Sequence, residues 1–421
     1  MGNERGGNKS ILVVGGGITG ITTAVEAAEV GYEVFLVEKR PYLGGRVVQL
    51  HKYFPKLSPS NCGLEINFRR IKENPRIKFF TLAEVEKISG EEGNFDVTIK
   101  LNPRYVNEKC TCCGACAEVC TTEIPNEFNY GMDKIKAAYL PHEFAFPMRY
   151  VIDPVIVGTD EGKRCVETCK YDAIDLEMKP ETLNLKVGSI VWATGWSPYD
   201  VSKVWYYEFG RYKNIITNVM MERLTAPSGP TKGKILRPSD GKEVKTIAFI
   251  QCPGSRDDNF LPYCSTICCL ASLKQAAYIR EQYPDSKVYI FHIDIRSYGT
   301  RFEKFYTKVL KDENIYPIKG KVGVITEDPK TKDLTLIAEN QETGEEVFLT
   351  VDLVVLAVGM VPNTFEEKIP ANISYDDYGF ISSELSGIYA AGCAVRPMDV
   401  YSSVQDGTAA ALKAIQSIGR R

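Results

Sequence analysis

The sequence predicts an α/β fold with two Rossmann-type units and a cysteine-rich α+β segment inserted into the first of them. A glycine-rich turn follows an apolar strand near the N-terminus, and a second apolar strand of the same kind occupies residues 246–250. Closely spaced cysteines lie between the two, from 110 to 169. Strands that alternate with helices in this way are typical of parallel sheets, and 421 residues suffice for two or three domains.

The composition argues against several classes of protein. A net charge of −3 gives no reason to expect binding to nucleic acid. The first ten residues contain no apolar core, so we expect no secretory signal. No stretch approaches the roughly 20 apolar residues of a membrane-spanning helix. We therefore expect a cytoplasmic chain that reaches the inner face of the membrane only through partners.

The glycine-rich turn has the pattern of a dinucleotide-binding site. Gly15 allows a tight turn after the strand at 11–14, Gly17 lets the backbone approach a pyrophosphate, and Gly20 allows close packing of helix on strand. We predict that the following helix runs from Ile21 to Val30. Its N-terminus would supply unpaired N–H groups to the phosphates.

An acid follows at the position that a bound dinucleotide requires. Glu38 ends the next predicted strand, Glu33–Glu38, where a carboxylate accepts hydrogen bonds from ribose hydroxyls. An isolated glycine pattern is weak evidence, because ordinary glycine turns share it. Here the strand, helix, strand and acid are all in register, which disfavours an ordinary turn.

Three further segments resemble those with which flavoproteins of the two-dinucleotide, thioredoxin-reductase-like type bind FAD. They are Gly44-Gly45-Arg46, the strand and turn at 190–195, and the C-terminal strand at 387–393. In the last segment Cys393 stands where this family usually has aspartate. We expect the helix that begins near Val400 to direct its N-terminus at the isoalloxazine ring. The residues predicted to contact FAD are Gly15, Gly17, Ile18, Thr19, Gly20, Glu38, Lys39, Gly44, Gly45, Arg46, Val85, Thr194, Gly195, Gly392, Cys393 and Val400.

The second Rossmann-type strand, Thr246–Ile250, is followed by a turn that does not suit a nicotinamide nucleotide. The turn reads Gln-Cys-Pro-Gly-Ser, so two of the three expected glycines are absent. Pro253 has no N–H to donate to a phosphate, and its φ is fixed. A later predicted strand still ends in an acid, Asp294. We predict a Rossmann scaffold whose nucleotide site has been replaced by cysteines, and no direct reaction with NAD(P)H.

Eight of the 13 cysteines fall into two sets of four. So many cysteines in a chain without a secretory signal favour metal binding over disulfides. Buried thiols without a ligand role are the simpler interpretation for Cys62 and Cys393, because free cysteine packs like a small apolar residue.

The cysteines from 110 to 120 have the C-x2-C-x2-C-x3-C spacing of bacterial ferredoxins. In two-cluster ferredoxins the first three bind one cluster and the fourth binds the other. Cys165-x3-Cys169 then resembles the end of a second run. We predict one [4Fe–4S] cluster, held by Cys110, Cys113, Cys116 and Cys169.

The second ferredoxin-type cluster is predicted to be lost. The chain has Thr159 and Gly162 where the two upstream cysteines of its run would stand. Only Cys120 and Cys165 remain, and whether they bind anything stays open. Cys112 is out of register. Four thiolates also suit zinc, although the ferredoxin spacing favours iron and sulfur.

The other set has a spacing that matches no common zinc or ferredoxin motif. Adjacent cysteines cannot easily bind one tetrahedral ion, whereas a cubane cluster offers separate irons. The set consists of Cys252, Cys264, Cys268 and Cys269.

With these motifs, most of the chain resembles the A subunit of heterodisulfide reductase. That family carries a Gln-Cys-x-Gly-Ser-Arg-Asp…Pro-Tyr-Cys-Ser-x-x-Cys-Cys signature, here at 251–269, and a ferredoxin insertion in its flavin domain, here at about 103–179. The resemblance implies FAD and, beside it, a [4Fe–4S] cluster on Cys252, Cys264, Cys268 and Cys269. The expected cofactors are thus FAD and two [4Fe–4S] clusters.

The chain resembles one branch of that family in its length and in its sequence at 129–133, 139–147 and 149–153. That branch is the A subunits of the quinone-interacting membrane-bound oxidoreductases of sulfate reducers. That resemblance implies two partner subunits, of which one is a second flavoprotein with iron–sulfur clusters and the other is a haem-bearing membrane protein. It also implies electron transfer between menaquinol and adenylylsulfate reductase.

Three alternatives are weighed against this interpretation. The nearest is a soluble subunit of the heterodisulfide reductase type that works on disulfides or sulfur carriers with other partners. A stand-alone NAD(P)H oxidoreductase is disfavoured by Pro253, and a non-redox scaffold is disfavoured because both cysteine sets and the flavin glycines are complete. With three histidines and no nucleophile–base pattern, we predict no catalytic acid or base in this chain.

The predicted domain limits follow the motifs. They are an FAD-binding domain at 1–102, 180–240 and 351–421, a ferredoxin-like insertion at 103–179, and a Rossmann-like domain with the cysteine-rich site at 241–350.

Overall fold

The computed structural model describes residues 8–419 of the chain. The first seven residues, on which the expectation of no secretory signal largely rests, lie outside that range. Among residues 8–419, none of the helices combines the length and the hydropathy that a membrane span requires.

The chain divides into two compact units. The first contains the chain up to Val48, Asn61–Trp196, and the chain from Pro362 onwards. The second contains Gln49–Ser60 and Ser197–Val361.

These limits differ from the predicted ones at residues 49–60, 197–240 and 351–361, which we assigned to the FAD-binding domain and which belong to the second unit. Strand pairing explains the last two of these differences. Strand Ile215–Thr217 pairs in parallel with strand Leu353–Ala357, so both segments are part of the second unit's sheet.

The chain before the insertion forms the start of the first unit. Its elements are β1 (Ser10–Val14), α1 (Ile18–Glu29), β2 (Glu33–Glu38), α2 (Ser60–Glu73), β3 (Ile77–Thr81), β4 (Ala83–Glu91) and β5 (Asn94–Leu101).

The insertion is built from short elements. They are α3 (Ala115–Val119), β6 (Glu123–Pro125), β7 (Lys134–Lys136), β8 (Ala138–Tyr139), β9 (Val151–Ile152) and α4 (Asp160–Thr168).

The remaining chain alternates strands and helices. Its elements are β10 (Glu181–Val187), β11 (Ser189–Trp192), β12 (Trp196–Pro198), β13 (Ile215–Thr217), α5 (Asn218–Thr225), β14 (Thr246–Gln251), α6 (Cys268–Gln282), β15 (Lys287–His292), α7 (Thr300–Val309), β16 (Ile315–Lys319), β17 (Val322–Glu327), β18 (Leu334–Asn340), β19 (Glu345–Val351), β20 (Leu353–Ala357), β21 (Met360–Pro362), β22 (Ile388–Ala390) and α8 (Val400–Gly419).

The first unit is organised by a five-stranded parallel sheet in the order β22-β11-β1-β2-β3. The central strands β1 and β11 are buried along their whole length, as expected where both faces of a parallel sheet are covered. Helices α1 and α8 pack together on one side. The antiparallel sheet β10-β5-β4 contributes apolar side chains to the core on the sheet's other face.

The predicted helix at Ile21–Val30 begins earlier, at Ile18. The glycine that we placed before it therefore lies in its first turn. A Cβ on Gly20 would stand 1.9 Å from the carbonyl oxygen of Gly15, so glycine is what lets this turn approach the strand.

The insertion is a small α+β segment with its own apolar cluster. Strands β6 and β7 and strands β8 and β9 form two antiparallel pairs, and α3 packs on α4. A bridge between Val106 and Ile174 joins the two ends of the segment. Cys120 and Cys165 are both in the buried cluster.

The second unit repeats the parallel architecture, with strand order β13-β20-β14-β15-β16. Helices α5 and α6 pack with β20, and the antiparallel sheet β17-β18-β19 contributes to an apolar cluster with alternate residues of β14 and β20. The strand that we predicted to end at Asp294 ends at His292. The predicted second Rossmann-type sheet is confirmed, and its central strand β14 leads into the cysteine-rich loop.

Candidate functional site

The first glycine turn forms a cradle with an open side. Gly15 has φ +110°, and a Cβ there would stand 2.3 Å from the carbonyl oxygen of Ala193. A Cβ on Gly17 would meet no heavy atom nearer than the Cα of Gly45, at 3.9 Å. The chain's own packing thus requires Gly15, whereas Gly17 borders free space that a side chain would fill. That space directly precedes α1, whose N-terminus suits a phosphate.

The second glycine pair closes over the first. The N–H of Gly44 donates to the carbonyl of Gly16 at 2.7 Å, and a Cβ on Gly45 would stand 2.8 Å from the Cα of Gly17. Arg46 donates through Nε to the carbonyl of Trp196 at 2.6 Å, with its guanidinium 4.9 Å from the indole ring. These contacts fix the backbone of both glycine segments as two walls of one cradle.

Glu38 lies buried at the end of β2 beside this cradle. Its carboxylate accepts from the N–H of Gly16 at 2.6 Å and from the N–H of Arg40 at 2.7 Å. Burial raises the pKa of Glu38 above its ordinary value, opposed by these backbone hydrogen bonds. A carboxylate has about four acceptor positions, so it retains capacity for ribose hydroxyls.

Other predicted flavin contacts lie in the same unit. Lys39 makes an ion pair with Glu367 at 2.5 Å, and Val85 packs at the edge of the unit's apolar core. Ile18 and Thr19 open α1, and a Cβ on Gly392 would stand 2.4 Å from Oγ1 of Thr19. The N-terminal and C-terminal parts of the predicted site therefore meet at α1.

The turn after β11 supplies an unpaired polar group. Oγ1 of Thr194 is buried and has no hydrogen-bond partner among residues 8–419, while the carbonyl of Thr194 accepts from Asn363 at 2.7 Å. Gly195 follows with φ +72° and no atom within 4 Å of a Cβ. An orphaned hydroxyl beside an open cradle fits a bound polar ligand such as the dinucleotide part of FAD.

Cys393 does not replace the missing aspartate. Its thiol is buried and donates to the carbonyl of Met398 at 3.6 Å, and burial raises its pKa to about 11. The acid at this place is Asp406, which the sequence analysis missed. Its Oδ2 accepts from the N–H of Gly392 at 2.6 Å. The sequence does show a carboxylate six residues after Val400, where the helix begins as predicted, and this residue could have been considered as the missing acid.

The ferredoxin-type cysteines lie in the insertion, with Cys110 and Cys113 before α3, Cys116 within it, and Cys169 at the end of α4. Cys110, Cys116 and Cys169 line its apolar cluster, and Cys113 is exposed. Burial, then the neighbouring thiols of Cys165 and Cys110, raise the pKa of Cys116 to about 12. Sγ of Cys169 accepts from a backbone N–H at 3.4 Å. Within the described chain, no three histidine, cysteine or acidic side chains converge in a geometry for a single metal ion.

The positions of the predicted lost ligands are filled by the chain itself. Thr159 caps α4, with its hydroxyl accepting from the N–H of Gly162 at 3.2 Å. A Cβ on Gly162 would stand 2.4 Å from the carbonyl oxygen of Ile156, so a cysteine does not fit there. Cys120 and Cys165 remain buried, and their thiols donate to the carbonyls of Thr122 at 3.7 Å and of Cys116 at 3.6 Å.

The second cysteine set lies at the carboxyl end of the second sheet. Cys268 and Cys269 are the first two residues of α6, and Cys252 directly follows β14 with φ +55°. Sγ of Cys268 donates to the carbonyl of Val358 at 3.5 Å, and Sγ of Cys264 accepts from a backbone N–H at 3.3 Å. Burial and then the Cys269 thiol raise the pKa of Cys252 to about 11. All four predicted ligands thus come together in one loop and one helix end.

This loop takes the place of a nicotinamide turn. Between β14 and α6 it runs from 252 to 267, and a Cβ on Gly254 would stand 2.8 Å from the ring of Tyr199. Asp294, the acid that would bind a ribose, forms an ion pair with Arg256 of the loop. Protein groups therefore occupy both elements of the nucleotide site.

Three polar side chains near these cysteines are buried without partners among residues 8–419. They are Gln251, Ser255 and Tyr207. Buried polar groups are nearly always hydrogen-bonded. Four thiols surrounded by orphaned donors fit a sulfur-rich group such as [4Fe–4S].

Comparisons with known proteins agree with these features. A family model described as FAD dependent oxidoreductase matches residues 10–54. The chain is similar to an iron–sulfur A subunit of the CoB–CoM heterodisulfide reductase of Methanopyrus kandleri, with 43% identity over 97% of this chain and 64% of the relative. It is 40% identical to the corresponding A subunit of Methanocaldococcus jannaschii, over 96% of this chain and 63% of the relative.

The fold is similar to that of thioredoxin reductase from Lactococcus lactis, with a TM-score of 0.54, 15% identity, and coverage of 98% of this chain and all of that one. That likeness confirms the predicted thioredoxin-reductase-like fold. The chain spans between 53% and 64% of the length of the curated relatives that it matches. Along nearly its whole length, the chain is similar to A subunits of heterodisulfide reductase.

Proposed function

We propose that this chain is an FAD- and iron–sulfur-containing electron-transfer subunit of an oxidoreductase complex. One observation carries the proposal: a dinucleotide cradle and two cysteine sets occur in one chain, and the second set lies where a nicotinamide would bind. When bound, FAD exchanges electron pairs and the clusters pass single electrons.

The protein's own groups have distinct tasks in this proposal. The backbone at Gly15, Gly17 and Gly45 and the N-terminus of α1 bind the pyrophosphate. Glu38 holds the ribose. The two cysteine sets each hold one [4Fe–4S] cluster. In the second set Cys268 and Cys269 are buried, which shields their side of that cluster from water.

The specific role that we propose lies in dissimilatory sulfate reduction, between menaquinol and adenylylsulfate reductase. The amino-acid sequence at 129–133, 139–147 and 149–153 supports this role, because it resembles the A subunits of the quinone-interacting oxidoreductases. Quinone is dissolved in the bilayer, so a haem-bearing membrane subunit must bind it. A second flavoprotein subunit then passes electrons between the membrane subunit and this chain. The chain would then lie on the inner face of the cytoplasmic membrane through these partners.

A second candidate is a heterodisulfide-reductase-like subunit that works on disulfides or sulfur carriers. The 43% identity to a relative named for heterodisulfide reductase favours it.

Anaerobic purification of the native complex separates the two. The first proposal expects a haem subunit to co-elute and menaquinol analogues to reduce the bound flavin, with adenylylsulfate reductase as acceptor. Co-elution without haem, together with electron transfer to a disulfide, would replace it by the second. A preparation without flavin and iron contradicts both.

A further inference from the structure

Two buried hydrogen-bond donors flank the second cysteine set without partners of their own. Gln251 directly precedes Cys252 and is 5% exposed, and neither polar atom of its amide has a partner among residues 8–419. The hydroxyl of Tyr207 is likewise buried, and the hydroxyl of Tyr206 beside it lacks the geometry of a hydrogen bond. Because buried polar groups are nearly always paired, both point to a partner that the chain does not supply.

Gln251 reaches the site from the helical face of the sheet. Ala248 and Ile250 belong to the apolar cluster that includes β17–β19, so the alternation of β14 places Gln251 on the opposite face. Its register partner on β20 is Ala357. The next residue, Val358, accepts the hydrogen bond from Cys268. Gln251 and Cys268 therefore meet the same end of β20.

Tyr207 reaches the site from the other face. Its ring belongs to the apolar cluster that contains Leu261, a residue of the cysteine loop. The Tyr206 hydroxyl and the Cys252 thiol are neighbours of the Tyr207 hydroxyl. A phenolic hydroxyl is a hydrogen-bond donor, so it can donate to an acceptor held beside Cys252.

We propose that Gln251 and Tyr207 are positioning residues that donate hydrogen bonds to sulfur atoms of the cluster held by Cys252, Cys264, Cys268 and Cys269. Reduction adds negative charge to such a cluster, and hydrogen bonds to its sulfurs favour that state and raise the potential. The inference rests on the proposed function, because it requires a cluster on these four thiols.

The test is a redox titration of the purified holoprotein, followed by electron paramagnetic resonance. The signal of this cluster is assigned by its loss in Cys264→Ala. Tyr207→Phe and Gln251→Met remove the donors at nearly constant volume. Each should lower the midpoint potential by the equivalent of about tenfold in the reduction equilibrium, about 59 mV for one electron, at unchanged iron content. The double variant should lower it further.

Tyr199→Phe is the matched control, because this residue lies in the same apolar cluster and its hydroxyl has Asp200, Asp257 and Tyr206 as neighbours rather than a cysteine. It should leave the potential unchanged. A signal whose potential is the same in wild type, Tyr207→Phe and Gln251→Met would overturn this inference and leave the proposed function standing. If Gln251→Met loses iron, the isosteric Tyr207→Phe decides alone. A holoprotein with no signal that depends on Cys264 would overturn the proposed function itself.

Discussion

The two parallel sheets differ in the turn that follows the strand β1 in the first unit and the strand β14 in the second. After β1, three residues lead into α1, and bare glycine backbone faces the space in front of the helix. After β14, a loop at 252–267 intervenes, and α6 begins with two cysteines. Loop length and side chains, rather than the sheet, therefore decide whether this edge binds a nucleotide or presents thiols.

Both turns nevertheless use a helix N-terminus in the same electrostatic sense. Phosphates and thiolates are anionic, and the unpaired N–H groups of a first helical turn stabilise negative charge. Cys268 and Cys269 occupy those positions in α6, as a pyrophosphate would before α1. The second unit thus keeps the physical advantage of the Rossmann turn while the ligand changes.

The largest expected effect tests the first turn. Gly17→Val should abolish flavin retention, because its side chain fills the open side of the cradle without colliding with the protein. The measurement is the flavin absorbance per chain after purification. Gly323→Val is the control, since a Cβ there also meets no atom nearer than 4.0 Å and lies in the other unit. Full FAD occupancy in Gly17→Val would disprove the assignment.

The next effect compares cysteines that we predict to be ligands with cysteines that we do not. The holoprotein should contain about eight iron atoms, from two four-iron clusters. Cys169→Ala should lose about half of them, although it lies far in sequence from Cys110. Cys120→Ala and Cys165→Ala should leave iron content nearly unchanged. About twelve iron atoms per chain, or equal losses at Cys120 and Cys116, would show that the third cluster is present.

The sequence predicts the structure of the first turn better than that of the second. The glycine pattern predicted the first turn closely, because positive φ and close approach are properties of glycine alone at Gly15 and Gly20. It misplaced the start of α1, since a helix can begin inside the glycine motif when the neighbouring strand leaves room. The role of Asp406 was missed because it depends on the packing of α8 on β22, a contact between segments that no local pattern encodes.

In the second turn the cysteine spacing predicted a set of four residues that the structure brings into one loop and one helix end, but it did not predict the residues that surround them. Residues 197–240 were assigned to the wrong unit, because β13 is three residues long and pairs with a strand far along the chain. The orphaned hydroxyl of Tyr207 arises in that same segment. Side-chain burial at such a site is a tertiary property, and short strands give little periodicity from which to predict it.

A smaller effect tests whether the positions of the cluster that we predict to be lost could accept side chains. Gly162→Ala should lower stability by about 1–3 kcal/mol, because its Cβ overlaps the carbonyl of Ile156. In an ordinary helix the same change stabilises by roughly 0.5–1 kcal/mol. Thr159→Ala should cost about 1 kcal/mol through the lost cap. Thermal unfolding of the holoprotein measures both, with the exposed Glu167→Ala as control. A more stable Gly162→Ala would mean that the site can accept a side chain.

The last prediction is that one substitution in the second turn has no effect on reduction by NAD(P)H. Pro253→Gly restores a glycine and an N–H to the second turn, yet NADH and NADPH should reduce the flavin of this variant no faster than that of wild type. One residue does not reopen the site, because Gly254 remains packed against Tyr199 and Asp294 remains paired with Arg256. Rapid mixing at micromolar NADH, followed by flavin absorbance, measures the rate, with dithionite reduction as the control that the flavin can be reduced.

Stoichiometric bleaching of the flavin in wild type would favour the alternative of a stand-alone NAD(P)H oxidoreductase. Bleaching only in Pro253→Gly would mean that the proline, rather than the whole cysteine loop, separates the second turn from the first.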